Sequence, residues 1–182
     1  MKIIVAITGA SGTIYSRQLL EHLLRAEEVE RIALIVSDMG KAVARHEGVE
    51  LPQHKKISIY ENHDMFAPTA SGSAQFDAMV VIPASMGSVG RISSGISSSL
   101  IERTADVMLK ERRRLIIVPR EAPYSLIHLR NMTSLTEAGA MILPASPSFY
   151  SHPQSIEELV ETIVERIIAH LGIKQCHYEW GK

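Results

Sequence analysis

Short, unbroken apolar runs alternate along the chain with longer stretches in which apolar positions recur every three or four residues. The runs at 2–7 (KIIVAI), 31–36 (RIALIV), 78–83 (AMVVIP), 115–119 (LIIVP) and 140–144 (AMILP) predict strands covered on both faces, because they do not alternate with polar residues. Stretches 14–26, 39–47, 98–113, 125–138 and 155–171 predict helices, the last opened by Ser155 and Glu158 at capping-box spacing. Parallel strands need crossover helices, so this order predicts an α/β fold: a three-layer, open, doubly wound parallel sheet with helices on both faces. In that architecture ligands bind beyond the carboxyl ends of the strands. Segment 48–76 is less regular, with ISIY at 57–60 as a possible extra strand and 62–75 (NHDMFAPTASGSAQ) as a loop long enough to suggest function. The serine-rich 93–99 reads as a loop and helix start, and no internal repeat is found.

Composition narrows the function classes. The chain has 182 residues, 46% hydrophobic and 21% charged, as expected for one domain spanning 1–182 with 172–182 as a C-terminal tail. A net charge of −1 gives no basic stripe for nucleic acid. The single cysteine, Cys176, excludes an intrachain disulfide framework and a multi-cysteine metal site, and fits a reducing compartment. The first apolar run is broken at once by Thr8 and Gly9, too short for a signal core or a membrane span, so a cytoplasmic protein is expected. The eight histidines show no metal-binding spacing, and none is expected to hold a metal. Neither a G-x-S-x-G elbow nor a G-x-x-x-x-G-K-[ST] loop is present, against an α/β-hydrolase or P-loop nucleotidase.

Candidate chemistry gathers at the predicted strand ends. In TGASGTIYS (8–16), Gly9 and Gly12 form a G-x-x-G without dinucleotide spacing, so a mononucleotide or other phosphate ligand at the helix N-terminus is expected, with Ser11 adding a hydroxyl. A tight turn holding no ligand is the competing reading. A second small-residue turn, PASMGSVG (83–90), ends another strand, and Ser37 ends a third. Each of these serines taken singly reads as a helix cap. Arg120 and Glu121 follow 115–119; the arginine suits a phosphate and the glutamate a proton transfer, with a surface ion pair as the plain alternative. On helix 98–113, Arg103 and Lys110 lie about 20° apart on the wheel, and Asp106 between them favours a solvated, salt-bridged face. Arg166 borders the buried stripe of the last helix, Tyr150 follows the last strand, and Trp180, the only tryptophan, reads equally as a packing anchor or a ligand contact.

Taken together, AITGASG, SLIERTADVMLKERRRLIIVPREAPYSLIHLRNM and PASPSFYSHPQSIEELV resemble the flavin prenyltransferase (UbiX) family over nearly the whole chain. The block 100–132, with R-x-x-D-x-x-x-K followed by P-R-E-x-P, is its most specific part. The resemblance implies a Rossmann-like or flavodoxin-like domain that transfers a dimethylallyl group from dimethylallyl monophosphate to N5 and C6 of reduced FMN. The prenylated FMN would serve a UbiD-type decarboxylase. By motif, Gly9, Ala10, Ser11, Ser37, Ser85, Met86, Gly87, Ser88, Arg103 and Arg120 would hold the flavin. Lys110, Arg120, Glu121, Tyr150 and Arg166 would surround the prenyl phosphate, and Glu47 matches a further active-site acid. The departing phosphate dianion would be met by these cations without a metal. Glu121 would protonate it, Ser11 would relay the N5 proton, and Trp180 would add a π face to the allyl cation. The family forms dodecamers with sites between subunits, so a homo-oligomer is expected. Met65 stands where relatives often carry Trp, implying a differently lined prenyl pocket; Ser98 and Ser99 and the turn SMGSVG also depart from the common pattern. The rival readings are a flavin-dependent cysteine decarboxylase, whose P-x-M-N-x-x-M-W motif is absent, and a non-enzymatic FMN-binding subunit.

Overall fold

A computed structural model describes residues 1–174. Six parallel strands, β1 (Lys2–Ile7), β2 (Arg31–Val36), β3 (Ile57–Glu61), β4 (Ala78–Ala84), β5 (Arg114–Pro119) and β6 (Met141–Ile142), lie in the order β3-β2-β1-β4-β5-β6. The strand order reverses between β1 and β4, which opens a crevice at their carboxyl ends. The helices are α1 (Thr13–Arg25), α2 (Asp38–Glu47), α3 (Met86–Ser93), α4 (Leu100–Lys110), α5 (Leu126–Glu137) and α6 (Ile156–Leu171).

The unbroken hydrophobicity of the central strands has a direct cause. Ile3, Val5 and Ile7 point to one core with Leu19, Leu20 and Leu23 of α1 and Ile163, Ile167 and Ile168 of α6. Ile4 and Ala6 point to the other, with Met86 and Val89 of α3, Ile101 and Met108 of α4, and Leu135 of α5. Successive strand side chains alternate faces, so both must be apolar when helices cover both. Each fully buried Leu or Ile contributes roughly 1.5–3 kcal/mol relative to exposure.

Four differences from the sequence expectation have local causes. The turn expected at 83–90 is largely the helix α3; Gly87 and Gly90 conceal it, and at Gly90 a Cβ would come within 3.2 Å of Asn131, so the glycine admits close packing against α5. The fifth predicted strand shrinks to Met141–Ile142, an edge strand running into Pro144, which has no N–H to donate. The expected helix 98–113 ends at Lys110, because Arg112 takes a left-handed conformation (φ 54°) and Arg113 N–H donates back to Met108 O at 2.8 Å. Ser155 caps α6 as expected, accepting from Glu158 N–H at 3.1 Å, but the Glu158 carboxylate accepts from Gln154 N–H instead of completing the box.

Candidate functional site

At the reversal point, Thr8 ties the first strand to the fourth. Its buried hydroxyl donates to Pro83 O at 2.8 Å and accepts from Ser85 N–H at 2.7 Å, fixing the two small-residue turns side by side. Ser37 caps α2 by accepting from Gly40 N–H at 3.0 Å, and Ser85 caps α3 by accepting from Ser88 N–H at 3.4 Å, so the cap readings hold for both. Helix α2 sits hard against β1: a Cβ on Gly9 would lie 2.6 Å from Met39 Cβ, and one on Gly40 would lie 2.8 Å from Ile7 O. The result is a cavity of about 340 Å³ lined by Gly9, Ser37, Asn62, Ser85, Ser88 and Ser99, with Arg91 and Glu102 in its wall.

The G-x-x-G turn behaves differently from the expectation. Gly12 takes a left-handed conformation (φ 109°), which requires glycine there. The N–H groups of Gly12 and Thr13 donate to the two Glu47 carboxylate oxygens at 2.7 and 2.8 Å. The N-terminus of α1 is therefore filled by the chain's own acid, and no phosphate is needed to satisfy it. Burial raises the Glu47 pKa, but hydrogen bonds from the Ser11 hydroxyl, Gly12 and Thr13 outweigh it and hold the carboxyl below its usual range. A carboxyl whose folded pKa is depressed stabilises the fold above its unfolded pKa of about 4.3, and that contribution is lost as the pH falls further. Glu47→Gln should accordingly cost about 1 kcal/mol at neutral pH and flatten the acid limb of a Tm-against-pH series. An unchanged acid limb would show that this cap carries no stability.

The remaining candidates divide between two poles of the sheet. Arg120 follows β5 and donates from Nε to Ser11 O at 3.1 Å, joining the first turn to the loop that carries Glu121. Glu121 accepts from Ala122 N–H at 3.0 Å, and the alternative reading, a surface ion pair with Arg120, is not formed. Ala10 is buried, Met86 packs into the core, and Gly87 lies beside Arg91, where a Cβ would meet Nη1 at 3.4 Å. Tyr150 is exposed, as are Met65 and Phe66. Arg103 turns to Ala70 O at 3.1 Å and Asp106 at 2.9 Å, and Lys110 pairs with Glu111, so Asp106 does not bridge the two cations. Helix α4 runs from the crevice, where Ile101 and Glu102 line the cavity, to the opposite edge, where Lys110 lines a separate hollow with Arg112, Arg113 and Gly139. The rise from residue 101 to 110 is about 13 Å. Arg166, late on α6, is likewise remote: burial first, then the charges of Arg166 and Arg114, lower the pKa of His170 at that end. One chain thus does not bring Lys110 or Arg166 to the crevice, because both helices run antiparallel to the strands. Trp180 lies outside the described residues.

Sequence reasoning did not single out Asn62, Arg91 or Glu102. Asn62 fixes the start of α4, its carbonyl accepting from Leu100 N–H at 2.7 Å and Oδ1 from Ile101 N–H at 3.1 Å. The S-x-x-E spacing of Ser99 and Glu102 was the available signal for the last of these.

A parallel sheet with a hydroxyl-lined crevice at its reversal point, closed by two capped helices, defines a nucleotide-type α/β domain. Residues 1–168 match the Flavoprotein family. The chain is 45% identical to the flavin prenyltransferase UbiX of Methanocaldococcus jannaschii over all of this chain and 99% of that one. It superposes with TM-score 0.88 and 40% identity on AnUbiX solved in complex with FMN and dimethylallyl pyrophosphate, covering 98% of both chains. A dodecameric FMN-dependent UbiX-like decarboxylase from Escherichia coli gives TM-score 0.91 at 34% identity over the full length of both. The chain belongs to the flavin prenyltransferase (UbiX) family.

Proposed function

We propose that this protein transfers a dimethylallyl group from dimethylallyl monophosphate to N5 and C6 of reduced FMN. Support comes chiefly from full-length kinship with flavin prenyltransferases, one solved with FMN and a dimethylallyl phosphate ester, combined with a hydroxyl-lined crevice at the sheet's reversal point. Reduced FMN supplies the nucleophilic ring positions and a π face. Gly9, Ala10, Ser11, Ser37, the turn Ser85–Met86–Gly87–Ser88 and Arg120 hold it, and Glu121 delivers a proton to the departing phosphate. Ser11, whose hydroxyl hydrogen-bonds the Glu47 carboxylate, passes on the N5 proton. The leaving dianion calls for preorganised cations and donors, the role of Lys110, Arg166, Arg120 and Tyr150, with Arg103 serving the flavin region.

Because Lys110 and Arg166 lie at the far pole of their own chain, they act in the crevice of a neighbouring copy. This requires a homo-oligomer, and a dodecamer like that of the Escherichia coli relative is the assembly we propose. The working unit is one domain spanning 1–182, in the cytoplasm, its product passing to a UbiD-type decarboxylase. Among the described residues no helix is long and apolar enough to cross a membrane. The cysteine-decarboxylase alternative lacks its substrate motif, since PREAPYSLIHLRNM occupies the comparable region.

The test is anaerobic incubation with reduced FMN and dimethylallyl monophosphate, followed by mass measurement of the extracted flavin. A gain of one prenyl unit is expected. Flavin recovered unmodified from protein that binds it would sink the transferase assignment.

A further inference from the structure

The crevice wall contains a device that the flavin-binding residues named above do not include. Glu102 in the first turn of α4 is 3% exposed, and its carboxylate is fully engaged. Oε2 accepts from the Ser98 hydroxyl at 2.6 Å, Ser98 N–H at 2.9 Å and Ser99 N–H at 3.0 Å, while Oε1 accepts from Arg91 Nε. A buried carboxylate persists only when paired and hydrogen-bonded, and here one of its partners is a half-exposed guanidinium facing the cavity. Arg91 Nη2 reaches Ser88 Oγ at 3.3 Å, and Nη1 lies over Gly87. The long side chain is therefore fixed at Nε, with its outer nitrogens presented beside the Ser85 and Ser88 hydroxyls.

Backbone donors converge on the same space. The N-termini of α2 and α3 both open onto it, and Ser37 and Ser85 satisfy only Gly40 N–H and Ser88 N–H. The N–H groups of Asp38, Met39, Met86 and Gly87 find no acceptor among the described residues, leaving these first-turn donors to water or a ligand. The helix N-terminus expected to take an anion, that of α1, is closed by Glu47; these two are open. Arg91 is the one cation lining the cavity among the described residues. Asp38, exposed, also lines the cavity and has no ion pair among the described residues.

Resting on the FMN assignment above, we infer that Arg91, positioned by Glu102, is the specificity-determining residue that seats the terminal phosphate of the flavin between α2 and α3. The protein then prefers a phosphorylated flavin to riboflavin. A guanidinium held at Nε offers its remaining N–H groups to a phosphate as a preorganised fork, whereas a neutral ribityl end gains nothing from it.

Flavin fluorescence quenching with the full-length protein, using FMN and riboflavin in parallel, tests this. The wild type should bind FMN at least about tenfold more tightly than riboflavin, a charge-assisted contact being worth about that factor. Arg91→Met should lose most of that preference by weakening FMN alone, Arg91→Lys and Glu102→Gln should retain part of it, and Asp38→Asn should increase it. Equal wild-type affinity for the two flavins, or an Arg91→Met variant that weakens both alike or neither, overturns the phosphate seat. Failure to bind either flavin in the wild type would instead overturn the FMN assignment. If Arg91→Met does not fold, Arg91→Lys carries the test: a Lys variant that keeps the full wild-type preference overturns the seat, because an ammonium cannot offer the fork held at Nε.

Discussion

Lys110→Met should reduce prenyl transfer by at least about 10²-fold, the usual loss when one preorganised charge is removed from a developing anion. Co-assembly with an inactive Glu121→Gln chain should restore turnover. The expectation follows from the course of α4: its first turn lines the crevice, while Lys110 lies at the other edge of the sheet, among Leu109, Arg112 and Arg113. A side chain about 13 Å along the helix axis from the cavity wall cannot reach a phosphate bound there within its own chain. In a mixed assembly some crevices receive an intact lysine from one chain and an intact glutamate from another. Recovery of turnover after refolding the two variants together, with assembly size checked by scattering, is the expected result. No recovery in assemblies of the correct size would overturn the sharing of the site between chains, and a Lys110→Met variant with full activity would place the lysine outside the reacting centre.

Glu121→Gln should lower turnover by about 10²–10⁴-fold while leaving FMN affinity unchanged. The side chain is only half-buried and accepts one local bond, from Ala122 N–H at 3.0 Å, so the variant removes a proton donor without opening a core. Single-turnover mass analysis of the flavin, alongside FMN titration, separates chemistry from binding. Turnover retained within a few fold would exclude Glu121 as the acid, leaving Tyr150 or solvent to protonate the phosphate. A parallel loss of FMN affinity would instead assign the glutamate to holding the loop.

The strands, their parallel order and the two-sided core were legible in the sequence because a strand buried on both faces must be apolar at every position, as 2–7 and 31–36 are. The serine and glycine turns were legible because only small residues let α2 approach β1 at Gly9 and Gly40. Residues 100–132 carried the family resemblance itself. Tertiary structure decided what local pattern cannot encode. It placed Glu47 on the N-terminus of α1, 35 residues from Gly12 in sequence, closing the expected anion site. The same packing left α2 and α3 open above Arg91, and set Lys110 and Arg166 at the far edge because helices covering a parallel sheet run back against its strands. Such distances depend on the direction and packing of whole elements, whereas the sequence pattern records only which face of each element is buried.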